Sequence, residues 1–407
     1  MIFSATAKLL TLLNTIMSPR CRENIRIFAA MIIVVNTRLL IPDRLEGIGW
    51  FTLETLKRIT VQQPEHHFIF LFDRNFDPDM VFSDNVTPLI ISPPARHPFL
   101  FVWWFELSVA SLLRKLKPDL FLSPDGYLSL RSDCRQLAVI HDISFAHYPK
   151  DVSFLVRKYY NYFFPRFARK ATRIATVSEF SRNDIAKTYN IDPSKIDLVF
   201  NGCNTRYKPV TEKQKLQTKE LFSAGEDYFL FVGALHPRKN ISRLFEAFDK
   251  FKESSGSKVK MVIVGKKYYW TRAIKRTYIS MKHREDVVFT GRLDNEQLRN
   301  VLGSALALTY VPYFEGFGIP ILEAFNTDTP VITSNITSMP EVAGDAALLV
   351  DPFSVDSIAN AMIYLHKDED IRNSLILKGR KRREAYSWDK TADLLWKSIL
   401  KTVQTEK

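Results

Sequence analysis

The chain has 407 residues, 46% of them hydrophobic, enough to bury the cores of two or three domains and too many for one small binding module. Its longest stretch without a charged residue, Asn300 to Phe314, has 15 residues, short of the roughly 18 a membrane-spanning helix needs. Lysine and arginine exceed aspartate and glutamate by 13, a balance that favours phosphorylated small molecules, anionic lipid or nucleic acid without choosing among them.

Three cysteines, odd in number and in no metal-ligand spacing, argue against a disulfide framework and a zinc site and for a reducing compartment. Residues 1–30 have Lys8 inside their apolar part and no basic region before it, a poor fit to a cleaved signal peptide. They read as an N-terminal extension outside the fold, with a short amphipathic segment lying on a membrane as the alternative.

From Met31 onward, short apolar runs alternate with segments of helical period. Strands are expected at Ile32–Val35, Phe68–Phe72, Leu89–Ile91, Leu120–Leu122, Leu137–Ile140, Arg173–Thr176 and Lys195–Val199. Helix-length stretches such as Trp50–Gln62 and Phe101–Leu116 separate them. Arg206–Gly225 is polar and strand-free, and reads as a linker or connecting helix. A second strand series follows at Tyr228–Val232, Val259–Val264, Val287–Phe289, Ala305–Val311, Val331–Ser334 and Ala347–Val350, with helical patterns at Ser242–Lys252, Asn295–Ser304 and Leu322–Asn326. The pattern predicts an α/β protein with two doubly wound domains, 31–205 and 226–387, joined by 206–225 and followed by a helix in 388–407. Ligands of such folds bind beyond the carboxyl ends of the strands, here in a cleft between the domains.

Four segments carry chemistry. In Glu315-Gly316-Phe317-Gly318-Ile319-Pro320, a strand runs into a Gly-x-Gly loop and an apolar helix. The glycines admit a close ligand, and the amides opening the helix suit an anion. Glu315 and Glu323, with seven residues between them, are placed to accept hydrogen bonds from hydroxyls of one bound molecule. A surface turn is the commoner fate of Gly-x-Gly, but apolar sequence flanks this one. In Val232-Gly233-Ala234-Leu235-His236-Pro237-Arg238-Lys239-Asn240, an adjacent fork and point charge follow the first strand of the second domain. The Glu46-Gly47-Ile48-Gly49 segment has only two glycines, so the dinucleotide fingerprint of a dehydrogenase is absent, although a loop here would offer amides to phosphate. Finally, His141-Asp142 lies just past a strand, where His141 is either a ligand contact or a satisfied end-of-strand histidine. Ser178 reads as the cap of the helix that follows it.

Taken in their order along the chain, over roughly Met31 to Trp388, these segments resemble family 4 of the retaining glycosyltransferases, and in detail are similar to the mannosyltransferase-like members of bacterial surface polysaccharide pathways. The resemblance implies the GT-B fold, two Rossmann-like domains facing each other across a cleft. It implies that Arg238 and Lys239 grip the diphosphate of a nucleotide sugar, GDP-mannose or a UDP-sugar. Glu315 would contact sugar hydroxyls, the amides of Phe317, Gly318 and Ile319 sugar and phosphate, and Glu323 the ribose. Gly47 and Gly49 would bring amides to the phosphates and His141 would contact the transferred sugar. Gly233 belongs to the strand–glycine turn before Arg238, and Leu293 lies where the family seats the nucleobase. Family members often have a Gly-Gly pair where this chain has Gly47-Ile48-Gly49, which shifts the register of that segment. No nucleophile for double displacement is evident, so retention is expected through a front-face route. Asp77-Pro78-Asp79 and Asp368-Glu369-Asp370 read as solvated loop charges, and neither a metal nor a cofactor beyond the donor is required.

Between Lys150 and Lys187, nine basic and three acidic residues interleave with Tyr159, Tyr160, Tyr162, Phe163 and Phe164, and Phe99–Trp104 adds two tryptophans. This composition suits peripheral contact with anionic membrane, while a charged face over core aromatics explains it equally. The resemblance implies a glycan or polyprenyl-linked acceptor and a cytoplasmic place, on the inner face of the membrane. Two other classes fit less well. A nucleotide-sugar 2-epimerase shares the architecture but matches the paired glutamates and Arg-Lys poorly, and a nucleic-acid-binding protein is suggested by charge alone.

Overall fold

A computed structural model of the chain describes residues 30–41, 45–267 and 270–405, so the N-terminal extension lies outside the described residues. All thirteen expected strands form, each end within three residues of its expected position. In the first domain they are β1 (Ile32–Asn36), β2 (His67–Phe72), β3 (Val86–Ile90), β4 (Leu120–Ser123), β5 (Gln136–Val139), β6 (Arg173–Thr176) and β7 (Ile196–Leu198). They build one sheet of order β3-β2-β1-β4-β5-β6-β7, parallel throughout. Pro88 falls in β3 at the edge, where a residue without N–H is tolerated. The second domain has β8 (Tyr228–Val232), β9 (Lys260–Val264), β10 (Val287–Gly291), β11 (Ala307–Tyr310), β12 (Val331–Ser334) and β13 (Leu348–Val350), in the parallel order β10-β9-β8-β11-β12-β13. Burial on both faces explains why β8, YFLFV, is apolar without alternation.

Helices fill the connections: α1 (Gly47–Gln62), α2 (Pro98–Trp103), α3 (Ala110–Leu116), α4 (Phe154–Lys170), α5 (Glu179–Tyr189), α6 (Glu212–Ser223), α7 (Ile241–Ser255), α8 (Arg272–Ser280), α9 (Asn295–Gly303), α10 (Ile319–Asn326), α11 (Met339–Ala343), α12 (Val355–Lys367), α13 (Glu369–Arg383) and α14 (Trp388–Gln404). Two differ from expectation in form. The stretch from Phe101 to Leu116 is not one α-helix, because a π-helical segment, Trp104–Val109, separates α2 from α3. The Gly47-Ile48-Gly49 segment is not a loop but the first turn of α1. The polar connector holds α6, which packs on the second domain. Asp77 and Asp368 each cap the helical turn that follows by accepting a backbone N–H.

The last helix returns to the first domain. Ser387 caps α14, and its buried residues Trp388, Ala392, Leu395 and Ile399 recur at helical spacing along one face. That face packs against α1 and beside β4, β5 and β6. Trp388 meets the edge of Phe51 at 6.4 Å and Trp396 lies 5.1 Å from the His66 ring. Arg58 Nε donates to Asp389 at 2.6 Å. Asp197, held by Arg173, also accepts from Ser398 and Lys401. The chain thereby passes between the domains twice, before α6 and again before α14. Since Trp388 is buried against Phe51, Trp388→Ala should remove about 3–5 kcal/mol and lower the thermal unfolding midpoint by several degrees. An unchanged midpoint would show that α14 is not part of the first domain's core.

Candidate active site at the domain cleft

In each sheet the strand order reverses at one point, between β1 and β4 and between β8 and β11. Crevices form at such points beyond the strand ends. At the second, Gly233 to Lys239 follow β8 and Glu315 follows β11. Arg238 Nη1 donates to the Glu315 carboxylate at 2.6 Å and to the carbonyl of Phe314 at 3.2 Å. Lys239 Nζ donates to the same carboxylate oxygen and to the Tyr310 hydroxyl at the end of β11. Burial alone would push the Glu315 carboxyl up, but Arg238 and Lys239 outweigh it and hold it down at about 2. Burial pulls Lys239 down to about 8, against the pull of Glu315. Two cations share one carboxylate directly, with Asp142 a further carboxylate in their field, in a place largely sheltered from water. This suits a multiply charged anion.

The first domain supplies the facing wall. His141, past β5, has Nε2 2.9 Å from the carbonyl oxygen of Pro124, and its ring meets Phe51 edge-on at 4.9 Å. Burial pushes this imidazole down, leaving it neutral at pH 7. A carbonyl only accepts, so Nε2 carries the proton and Nδ1 keeps its lone pair. The Pro124 loop is fixed in turn by Asp125, which accepts from Arg38 Nε at 2.7 Å and Asn36 Nδ2 at 2.8 Å. Arg38 lies over the Tyr127 ring at 4.3 Å.

Between the walls runs the loop from Phe314 to Gly318. A side chain at Gly316 would collide with the carbonyl of His141 and stand 2.9 Å from Asp142 Cβ, so only glycine lets the two domains meet here. Gly318, at φ +101°, is the N-cap of α10, and Phe317 is buried beneath it. Ser178 Oγ, from the first domain, donates to the carbonyl of Gly316 at 2.7 Å while accepting from Ser181 N–H. Ser178 is thus more than the helix cap expected from the sequence. Glu341 of α11 accepts from the amides of Glu179 and Phe180 at 2.7 and 3.0 Å, placing a carboxylate from one domain on the helix N-terminus of the other. Phe314 packs against His147 and Phe180, and Tyr313 against Tyr148.

Glu323 lies inside α10, apart from the cations, and its partners are the Tyr207 hydroxyl and the charge of Arg206. Ile319 opens the same helix. Gly47 and Gly49 open α1 toward the cleft side of β1, and Leu293 occupies the short connection between β10 and α9 at the far edge of the second sheet. The structure therefore joins Arg238, Lys239 and Glu315 in one cluster, faces them with His141, and leaves Leu293 two strands away from β8. Sequence reasoning missed Tyr310, Tyr207, Glu341 and the cross-domain bond of Ser178. Tyr310 alone left a signal, as a polar end to an apolar strand.

Burial raises the Glu323 carboxyl to about 7, Tyr207 and Arg206 offsetting only part of the effect. The folded state then keeps a proton that the unfolded chain releases near pH 4.5, so this group costs stability as pH rises from there to about 7. The cost between those limits is on the order of 3 kcal/mol. Relative to Glu323→Gln, the wild-type midpoint should fall between pH 5 and pH 8. Parallel pH profiles of the two proteins would contradict a buried, protonated Glu323.

Comparison with known proteins agrees with this geometry. The family described as "Glycosyltransferase Family 4" matches residues 45–207, and that described as "Glycosyl transferases group 1" matches residues 212–382. The chain is 27% identical over 362 residues to O-antigen chain mannosyltransferase B of Escherichia coli, covering 85% of this chain and 93% of that one. It is 32% identical over 217 residues to O-antigen chain mannosyltransferase RfbU of Salmonella typhimurium, covering 53% and 57%. Among solved structures, WaaG, a glycosyltransferase involved in lipopolysaccharide biosynthesis, superposes with a TM-score of 0.69 at 16% identity, covering 89% of this chain and 98% of that one. Anabaena HepE in complex with UDP and glucose superposes with a TM-score of 0.70 at 14% identity, covering 91% and 99%. Matched in both halves and folded as two facing Rossmann-like domains, the chain belongs to the family 4 glycosyltransferases of GT-B fold and is a hexosyltransferase.

Proposed function

We propose that the protein transfers a hexose, mannose by preference, from a nucleotide-diphosphate sugar to a glycan or polyprenyl-linked acceptor in cell-surface polysaccharide synthesis, with retention of anomeric configuration. The carrying observation is the half-buried cluster of Arg238, Lys239 and Glu315 at the β8/β11 crossover, facing His141 across the cleft. The mannosyltransferase names of the relatives support mannose, and hence GDP-mannose as donor.

In this reading the diphosphate lies against Arg238 and Lys239. As the bond from sugar C1 to the β-phosphate oxygen breaks, the electron pair leaves with that oxygen, and the two cations stabilise the growing charge. Charge stabilisation of this kind is usually the largest catalytic contribution. Glu315 orients both cations and accepts from sugar hydroxyls, and Glu323 accepts from the ribose. His141, neutral with Nδ1 free of its own proton, accepts from a hydroxyl of the transferred sugar. Retention follows if the acceptor oxygen bonds to C1 on the face the phosphate leaves, its proton passing to the departing phosphate oxygen. Neither a metal nor another cofactor takes part in this scheme.

The acceptor reading includes contact with anionic membrane at the cytoplasmic face. Of the aromatics that suggested it, Tyr159, Phe164 and Trp104 are core residues. The outer face instead carries Phe99, Trp103, Phe154, Leu155 and Tyr162, all exposed. Arg157 and Lys158 flank Phe154, and Arg166 covers Tyr162 at 3.6 Å. No helix among the described residues is long and apolar enough to cross a membrane.

Two measurements test the proposal. GDP or GDP-mannose at a hundredfold excess over its dissociation constant should stabilise the protein by about 2.7 kcal/mol, raising the thermal midpoint, and Lys239→Ala should abolish that rise. No rise with guanosine or uridine diphosphates, or an equal rise in the variant, would remove the proposed donor site. The protein should also cosediment with vesicles containing phosphatidylglycerol. With about 1 kcal/mol per cation at the surface, reversing Arg157 and Lys158 to glutamate should weaken binding at least tenfold, and equal binding to neutral vesicles would contradict the membrane reading.

A further inference from the structure

The donor loop is held from both sides by serine hydroxyls. Ser338 Oγ, at the start of α11, donates to the carbonyl of Glu315 at 2.8 Å and lies 3.3 Å from that of Phe317. Ser178 Oγ donates to the carbonyl of Gly316 at 2.7 Å, and Ser181 Oγ lies 3.3 Å from the same oxygen while donating to His141 O at 3.0 Å. All three serines are fully buried. A hydroxyl has one proton to give, so the shorter contacts decide: Ser338 fixes the peptide after Glu315, and Ser178 fixes the peptide after Gly316.

The consequence lies in the amides. In a planar trans peptide the carbonyl and the following N–H point in opposite directions. Tying back the carbonyls of Glu315 and Gly316 therefore turns the N–H groups of Gly316 and Phe317 away from the serines, and among the described residues neither N–H has a hydrogen-bond partner. Were either plane to flip, a carbonyl oxygen would face the bound anion in place of a donor. We propose that Ser178 and Ser338 are positioning residues for the donor, each locking one peptide plane so that the loop offers N–H groups to the donor phosphates. Ser178 belongs to the first domain and Gly316 to the second, so half of this orientation is supplied only where the domains meet. The proposal rests on the reading of the cleft as a nucleotide-sugar site.

The test is calorimetric titration of the full chain with GDP, with UDP in parallel, and with guanosine, which has no phosphate. Glycine is nearly as good an N-cap as serine, so Ser178→Gly keeps α5 capped and removes only the hydroxyl, while Ser178→Thr restores it. Loss of one neutral hydrogen bond predicts on the order of fivefold weaker GDP binding in Ser178→Gly, unchanged guanosine binding, and recovery to within about twofold in Ser178→Thr. GDP binding at wild-type strength in the glycine variant, equal weakening of GDP and guanosine, or a threonine variant as weak as the glycine one would overturn it. Ser338→Ala, wholly within the second domain, gives the same test if Ser178→Gly does not fold. A wild type that binds neither GDP nor UDP overturns the donor reading and this proposal with it.

Discussion

Glu341 reaches across the cleft to the first amides of α5, and beside it Ser178 reaches back to the carbonyl of Gly316. These opposed contacts fix where the two sheets stand relative to each other. Each uses the end of an element: a carboxylate on the positive end of a helix, and a hydroxyl on a carbonyl that no strand or helix satisfies. The contact is so close that Gly316 has no room for a side chain. His141 and Asp142 are thereby brought beside the Glu315 loop, and the carboxylate of Asp142 adds to the field that keeps Arg238 charged. Helix α14, running back over α1, supports the same arrangement from behind.

Within that frame the electrostatics are uneven by design of the sequence. Placing two cations against one carboxylate inside a protein costs solvation that the pair interactions only partly return. Glu315 lowers that cost and holds both side chains in one orientation. Burial, with Arg238 adding to it, still lowers the affinity of Lys239 for its proton. Glu323, eight positions further on, has the opposite character: largely desolvated and without a cation in direct contact, it holds its proton to about pH 7. Two glutamates of one motif thus occupy different electrostatic settings.

Local pattern made much of this legible. Every strand was visible as an apolar run because parallel strands covered on both faces need continuous hydrophobicity. The segments after β8 and β11 were visible because glycines and charges interrupt that pattern abruptly. What pattern could not carry was distance. Ser178 and Gly316 are separated by 138 positions, and Glu341 lies 162 positions from Glu179, so neither contact leaves a local period. Ser178 was read only as a cap because that role is written in its neighbours, while its second bond depends on the other domain. Gly47-Ile48-Gly49 read as a loop, since glycine is a poor interior helix residue. At the first turn of α1 that penalty is small. The aromatics near Lys150–Lys187 could not be divided into core and surface until α4 had a face.

The most direct measurement is a crystal structure of the protein with GDP bound. The diphosphate should lie against Arg238 and Lys239, within hydrogen-bonding distance of the Gly316 or Phe317 amide, with Glu323 on the ribose and the Ser178–Gly316 contact intact. A diphosphate bound elsewhere, with Arg238 and Lys239 still engaged only by Glu315, would contradict it.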